Sequence, residues 1–247
     1  MHQKNRLVTI PAEFLQNCVD VWSGIQVRMP KVIRWGRFIE KNDELRKQDC
    51  LQHTIALSVL GNIMITMLSK YVDLDKHLLL TAFLIHDLGE GELGRDIVLA
   101  EKNVEADDDL DEYLAVRNMF SFLPKEAFDE FHRAFLLQFC LEEHKGFPSD
   151  AREIMAELAE TRKMEALAFY AIERWDYFMY AFEQFQKNND RHILHVVIGG
   201  HGNELERINL ELPGFKEQFW TDDVRQWCYN FYNCNEPCPH GGYIGQV

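Results

Sequence analysis

Four residues of this chain have the chemistry of metal ligands, namely His53, His86, Asp87 and Asp176. Imidazole nitrogens and carboxylate oxygens together make a mixed ligand set, which suits a divalent ion with octahedral preference. Asp176 interrupts the aromatic and aliphatic stretch ERWDYFMYAF, so its carboxylate should be partly buried, and a buried charge needs a partner. A metal ion is such a partner, and we take the four residues as one candidate metal site.

Each of these residues, taken alone, also has a simpler interpretation. A histidine near a helix start, such as His53, is commonly a surface or capping residue. The adjacent His-Asp pair could cap the end of its helix, although a carboxylate there opposes the helix dipole unless a cation is bound. Asp176 could instead form an ion pair with Arg174 or Lys163. The order His, His-Asp, Asp on helices that should pack together favours the shared metal site.

Helical periodicity dominates the elements that must position these residues. Apolar side chains recur at three- and four-residue steps in 11–28, 54–70, 126–144 and 164–186, and 76–86 is apolar nearly all round. The apolar stripe of 54–70 contains Ile55, Val59, Ile63 and Met67. No sustained alternation of period two occurs, so a sheet is not expected. The sequence therefore predicts an all-α fold with 76–86 central and buried.

The chain has the length of one large domain or two small ones, and we favour one. We predict a single globular helical bundle over residues 1–247, with its core at about 30–187 and a looser C-terminal extension at 188–247. No internal repeat divides it.

Dense turn chemistry marks the breaks between the predicted helices. Gly89, Gly91 and Gly94 predict a loop just after the His-Asp pair, and the glycine-rich stretch 198–204 predicts another turn. The acidic run 105–112 predicts a solvated loop leading into a helix start, where carboxylates are favourable. Its spacing does not match a calcium-binding loop.

Composition and charge limit the class of partner. Hydrophobic residues make up 47% and charged residues 27% of the chain, as in an ordinary globular protein. The formal charge of −14 argues against nucleic-acid polymers and anionic membranes as partners. We see no signal peptide and no apolar stretch of 18 residues, so we predict a cytoplasmic protein with reduced thiols. A small anionic substrate stays compatible, because a local cationic pocket can overcome a distant negative field.

The order His53, His86-Asp87, Asp176 resembles the motif of the HD superfamily of metal-dependent phosphohydrolases. This resemblance implies an HD-type helical domain whose four ligands bind one divalent metal ion, with Mn, Co, Fe, Ni and Mg all suitable. It also suggests a homodimer. Four protein ligands on an octahedral ion leave positions for water and for a phosphate oxygen.

The residues around these ligands are similar to the bacterial 5′-deoxynucleotidase branch of that superfamily. Arg34-Trp35 precedes the first histidine, and Glu90 stands three residues after the HD dipeptide. By this resemblance Arg34 would hold the phosphate and Trp35 would lie against the sugar or base. Glu90 would orient or deprotonate the attacking water. Asp96 would contact the sugar hydroxyl, although the loop before it is longer than in that branch.

Two of these assignments have structural alternatives. Arg34 could form a surface ion pair with Glu40 or Asp43, and Trp35 could simply pack in the core.

The number of metal ions depends on two further histidines. Binuclear HD enzymes add two histidines between the HD dipeptide and the last aspartate, and the candidates here are His132 and His144. We place both on one predicted helix, twelve residues apart and therefore roughly 120° out of phase. They cannot readily face one site together, so we predict a single metal and a helix-capping role for His144.

A second cluster of metal-ligand residues lies near the C-terminus. Cys228, Cys234, Cys238 and His240 could bind a structural zinc ion. Their spacing contains no Cys-x-x-Cys, so we favour cysteines that pack as small hydrophobic side chains.

The sequence predicts a metal-dependent phosphohydrolase acting on a small phosphorylated substrate, with a (deoxy)nucleoside 5′-monophosphate as the leading candidate. A nucleoside triphosphate or cyclic-nucleotide hydrolase would use the same metal. A non-catalytic HD-like sensor or interaction module is a rival of a different class, although such modules usually lose ligands that this chain retains.

Overall fold

A computed structural model describes residues 12–40, 42–96 and 108–233 of the chain. Most of these residues lie in α-helices, which confirms the predicted all-α class. The helices are α1 (Ala12–Ser23), α2 (Gly36–Ile39), α3 (Cys50–Leu68), α4 (Lys76–Ile85), α5 (Leu88–Leu93), α6 (Asp108–Phe120), α7 (Lys125–Leu136), α8 (Ser149–Thr161), α9 (Lys163–Asn188), α10 (Arg191–Glu211), α11 (Phe215–Gln218) and α12 (Asp222–Asn233).

Aspartates begin the helices that matter most for the site. The Asp49 side chain accepts a hydrogen bond from the main-chain N–H of Gln52 at 2.8 Å, and the Gln52 side chain accepts one from the N–H of Asp49. This reciprocal capping box starts α3. Asp75 and Asp190 each accept the N–H three residues further on, and so start α4 and α10.

The long helix α9 forms the middle of the bundle. It packs against α3 and α4 on one side and α10 on another, and its apolar side chains are largely buried. Between α4 and α9 the rings of Phe83 and Phe169 stack at 5.1 Å. Buried apolar side chains from Met29 to Tyr232 form one continuous cluster. Helix α3, which carries His53, and helix α4, which ends just before His86, are therefore fixed against the same central helix.

A short strand pair lies beside this bundle. Residues Ile33–Arg34 (β1) pair antiparallel with Gln48–Asp49 (β2), with Arg34 opposite Gln48. The pair is too short to show an alternating pattern, which is why the sequence predicted no sheet. Because β2 leads directly into α3, the pairing brings Arg34 beside the first turn of that helix.

The solvent-facing side of α3 differs from the expectation. Ile55, Val59 and Ile63 are 56%, 59% and 54% exposed, whereas the opposite side of the helix is buried. The helix has apolar residues nearly all round, so periodicity could not identify the side that faces the core.

The same helix corrects a second expectation about membranes. By length and composition α3 is apolar enough to cross a membrane, contrary to our expectation that no such stretch exists. Its buried side carries His53 and packs against α4 and α9. We therefore assign it to the core of the helical fold.

Two glycine-rich stretches are helical where turns were predicted. Gly89 and Gly91 lie inside α5, and only Gly94, with φ of 73°, ends that helix in the left-handed conformation. Residues 198–204 lie in the middle of α10, which is packed along α9. Tertiary packing outweighs the low helix propensity of glycine at both places.

The predicted helix 126–144 is shorter than expected. The α-helix α7 ends at Leu136, a 3-10 turn covers Leu137–Phe139, and His144 lies beyond it in an irregular segment. The placement of His132 and His144 on one helix is therefore wrong. The aromatic repeat continues across the break, because the side chains pack into the core on both sides of it.

The described part of the C-terminal extension, up to Asn233, is largely helical. Helices α10, α11 and α12 follow α9, and Trp220 between the last two is completely buried.

Candidate metal centre

Three helix ends deliver the candidate ligands to one point. His53 lies in the first turn of α3, His86 is the C-cap residue of α4, and Asp87 is the N-cap residue of α5. The sequence suggested that Asp87 ends a helix, where its charge would be unfavourable. It instead precedes a helix, and a carboxylate at a helix N-terminus is favoured by the dipole. All three side chains are buried.

The nitrogen and oxygen atoms of these residues converge. His53 Nε2 lies 3.2 Å from His86 Nε2 and 3.5 Å from Asp87 Oδ2, and His86 Nε2 lies 3.1 Å from Asp87 Oδ1. Two nitrogens bound to one ion at about 2.1 Å each would have this separation at an angle of about 100°. The spacing therefore fits neighbouring ligands of a single metal ion, and the three side chains form a group that could hold one.

The protonation of His86 also fits a metal ligand. Its Nδ1 lies 2.9 Å from the main-chain oxygen of Phe83, an acceptor, so Nδ1 carries the proton and Nε2 keeps its lone pair. Burial lowers the pKa of His86, although the charge of Asp87 partly opposes this. A neutral imidazole with Nε2 facing the centre is the form that binds metals.

Asp176 contacts the opposite side of His53. Its Oδ2 lies 2.9 Å from His53 Nδ1, not beside the converging atoms. Neither Arg174 nor Lys163 is its partner, since they pair with Glu204 and Glu211. In this position Asp176 fixes the ring of His53, and a direct contact with the metal stays a prediction.

Arg34 is a buried cation beside the converging atoms. Its Nη1 lies 2.7 Å from Asp87 Oδ2 and 3.5 Å from Glu90 Oε2, so the alternative of a surface ion pair with Glu40 or Asp43 is wrong. Its Nε is buried and has no hydrogen-bond partner among the residues that the structure describes. A buried guanidinium donor next to a metal-binding group is suited to a phosphate oxygen.

Glu90 is buried beside Arg34 and Asp87. The residue is 6% exposed, and its carboxylate faces Arg34 and accepts a hydrogen bond from the Cys50 thiol at 3.1 Å. Burial, and next the negative charge of Asp87, raises the pKa of Glu90 well above that of an ordinary glutamate. A carboxylate with a raised pKa is better able to accept a proton near neutral pH. Cys50, Asp87 and Glu90 also form a group that could hold a metal, although Arg34 is the cation beside it.

Trp35 has an unusual backbone conformation and a packed side chain. Its φ of 64° is left-handed, and its N–H donates to Asp96 Oδ2 at 3.2 Å. The indole N–H donates to Gln48, and the ring stacks on Tyr180 at 4.7 Å. The structure thus brings Trp35 and Asp96 together beside Arg34, and a contact with sugar or base stays a prediction.

The acidic run at the start of α6 is less solvated than expected. Asp108 and Glu112 are only 6% and 7% exposed. Asp108 pairs with Arg95 at 3.0 Å, and the main chain at Glu112 lies directly against Gly89 of α5. The described part of this run therefore packs against α5, the helix that follows Asp87. Residues 105–107 lie outside the described residues.

The two further histidines have partners outside the converging group. His132 Nε2 is 3.1 Å from the Tyr113 hydroxyl, and His144 Nδ1 is 3.6 Å from Asp109 Oδ2. Cys228 is a buried free thiol. The other members of the proposed zinc cluster, Cys234, Cys238 and His240, lie outside the described residues.

Sequence reasoning missed three residues that the structure brings to the site, namely Cys50, Glu173 and Tyr177. The Tyr177 hydroxyl lies 3.4 Å from Arg34 Nη2 and donates to Glu173 at 2.7 Å. Glu173 and Tyr177 lie close to Asp176 in the sequence of α9, and this proximity could have identified them as residues of the site. Cys50, at the start of α3, gave none.

The chain matches a model of a known protein family. A family model described as the HD domain matches residues 32–209, which is more than half of the chain and contains every residue of the converging group. The matched region extends past the predicted core into α10. A search of curated proteins finds no match.

Proposed function

The chain belongs to the HD-domain family, whose members are generally metal-dependent hydrolases. On this premise we propose that it hydrolyses the phosphate ester of a (deoxy)nucleoside 5′-monophosphate. The observation that supports this most directly is that Arg34 Nη1 lies 2.7 Å from Asp87 Oδ2, the carboxylate that also lies beside the facing Nε2 atoms of His53 and His86. A divalent ion bound by these residues and the buried guanidinium would place two positive groups side by side. Together they would stabilise the negative charge of a phosphate ester during hydrolysis.

We assign the metal to His53, His86 and Asp87, with Asp176 as the fourth member of the set. When bound, a divalent ion supplies a Lewis acid for phosphate oxygens and lowers the pKa of a water molecule. The neutral His86 and the oriented His53 keep their Nε2 lone pairs available for it. The His and Asp donors do not distinguish Mn, Co, Fe, Ni and Mg.

Arg34 and Glu90 carry the remaining roles. Arg34 binds the phosphate through donors such as the buried Nε, which has no partner among the described residues. Glu90 orients the attacking water and accepts its proton, which requires the carboxylate form. We further propose that Trp35 and Asp96, joined by a main-chain hydrogen bond, contact the sugar or base.

We place this reaction in a reducing cytoplasm. The cysteines of the described ranges, Cys18, Cys50, Cys140 and Cys228, are free thiols.

The test is a phosphate-release assay on the purified protein with Mn²⁺ or Co²⁺ and a panel of nucleotides. We expect inorganic phosphate from one or more 5′-monophosphates, and loss of release after chelation. A product of pyrophosphate or triphosphate would instead indicate triphosphate hydrolysis, and opening of a cyclic nucleotide would indicate an esterase.

A pair of variants supplies the control. Asp87→Ala should lose both bound metal and activity, whereas Asp150→Ala, which removes a partly exposed carboxylate paired with Arg117, should keep both. The proposed function fails if no nucleotide releases phosphate, and the metal assignment fails if Asp87→Ala retains its metal.

A further inference from the structure

Tyr177 contacts three residues that come to the site from the N-terminal part of the chain. Its ring lies 5.6 Å from Arg34 Cζ, 6.2 Å from the His53 ring and 5.8 Å from the Trp35 ring. Through Tyr177, α9 thus contacts both Arg34, the candidate phosphate-binding residue, and His53, a candidate metal ligand.

The hydroxyl of Tyr177 has a fixed direction. A phenol carries one proton, and here it is donated to Glu173 Oε1 at 2.7 Å. Glu173 is itself held by Arg174, which also donates to Glu204 of α10 at 2.8 Å. The lone pairs of the phenol oxygen are therefore left for another donor.

That donor is Arg34. Its Nη2 lies 3.4 Å from the Tyr177 oxygen, while its Nη1 contacts Asp87 at 2.7 Å. The two terminal nitrogens of the guanidinium are thus held by different helices, and its plane is fixed. A planar donor fork binds phosphate in pairs of hydrogen bonds only when its orientation is set, so a pre-positioned fork loses less freedom on binding.

We propose that Tyr177, held by Glu173, is a positioning residue that fixes the Arg34 guanidinium for phosphate binding. This rests on the proposed function, because it takes phosphate as the ligand of Arg34. Tyr177 acts through Arg34 and has no proton to donate to the substrate while Glu173 accepts it.

The experiment measures binding of inorganic phosphate to the Mn²⁺-loaded protein by calorimetry, so it does not depend on turnover. Tyr177→Phe removes only the hydroxyl and should weaken phosphate binding about fivefold, the factor expected for one hydrogen bond of ordinary strength. Affinity for Mn²⁺ should change less than twofold. In an Arg34→Lys background, Tyr177→Phe should have no further effect, because the partner of the hydroxyl is already gone.

Tyr113→Phe is the matched control. Tyr113 is also a buried tyrosine whose hydroxyl accepts a hydrogen bond from an arginine, Arg117 Nη1 at 2.8 Å, and whose ring lies under that guanidinium. Tyr113 lies outside the candidate site, so the Tyr113→Phe variant should bind phosphate with the affinity of the wild type. If Tyr177→Phe does not fold, Glu173→Ala removes the group that holds the hydroxyl and should give the same loss.

Three outcomes would overturn the positioning role. They are equal effects of Tyr177→Phe and Tyr113→Phe, an undiminished effect of Tyr177→Phe in the Arg34→Lys background, and a wild type that does not bind phosphate. A wild type that binds phosphate but hydrolyses no nucleotide would instead overturn the proposed function alone.

Discussion

The facing ring nitrogens of His53 and His86 are the central feature of the candidate site at the scale of residues. Their Nε2 atoms lie 3.2 Å apart, and each ring uses its other nitrogen for a different oxygen, that of Asp176 or that of Phe83. A shared cation removes the repulsion between the two Nε2 atoms. The residues that fix the far side of each ring are therefore as much part of the metal site as the rings themselves.

We expect Asp176→Asn to weaken metal binding. The asparagine keeps the size of the side chain but loses the charge that orients and polarises His53, so metal affinity should fall by about 10- to 100-fold. Titration with Mn²⁺ or Co²⁺ measures this, with circular dichroism to verify that helicity is kept.

The size of that loss also separates two roles for Asp176. An effect within this range agrees with a carboxylate behind His53. A loss far beyond about 100-fold would show that Asp176 is itself a metal ligand, and unchanged affinity would contradict both roles.

At the scale of single residues, the types of the residues and their order along the chain predicted which of them share the site. The sequence singled out His53, His86 and Asp87, whose donor atoms converge in the structure. It could not show that Asp176 contacts Nδ1 of His53, because the contact depends on side-chain rotamers. It could not show that the hydroxyl of Tyr177 contacts Arg34 either. A tyrosine within an aromatic helix is more simply interpreted as a core residue.

At the scale of helices, the crossing of α3 and α4 sets the distance between the two histidines. The helices touch at Gly61, where an added Cβ would lie 2.5 Å from Phe83 Cε2. Phe83 is completely buried and its ring is stacked on Phe169, so it cannot move aside easily.

Gly61→Ala should therefore destabilise the protein. Overpacking at this contact should cost about 1–3 kcal/mol and lower Tm, measured by thermal and urea unfolding. The control is Gly200→Ala in α10, where an added Cβ meets nothing within 4 Å. That variant should be neutral or stabilising by up to ~1 kcal/mol. Equal shifts for the two variants would show that the α3–α4 contact is not tight.

The helices themselves were more predictable than their ends and their buried sides. The nearly continuous apolar run of 76–86 and the apolar periodicity of 164–186 correspond to α4 and α9. The exposed side of α3 was misjudged, because an apolar helix gives no contrast between its sides. Helix α5 and the middle of α10 were missed, since their glycines lower helix propensity and only packing against α6 and α9 restores it.

At the scale of the whole molecule, the formal charge of −14 opposes the approach of an anionic substrate. Salt screens this long-range repulsion over a Debye length of about 10 Å at 0.1 M, whereas the buried Arg34 is screened far less. We therefore expect kcat/KM for a nucleoside monophosphate to rise as ionic strength increases from low to physiological values.

Steady-state rates at several concentrations of a non-coordinating salt, at fixed metal, measure this dependence. A substrate analogue without net charge should show a flat profile. If kcat/KM for the monophosphate falls with salt instead, the local field of the pocket dominates over the charge of the whole surface.

The strand pair of Arg34 and Gln48 also has a consequence for how the site changes with time. Strands of two residues are marginal by themselves, whereas the ligand-bearing helices are fixed in the core of the bundle. Regions of low local stability open first. We therefore expect the strand pair to separate from the ligand-bearing helices before those helices separate from one another, so that the proposed phosphate product would leave beside the strand pair without displacing the metal ligands.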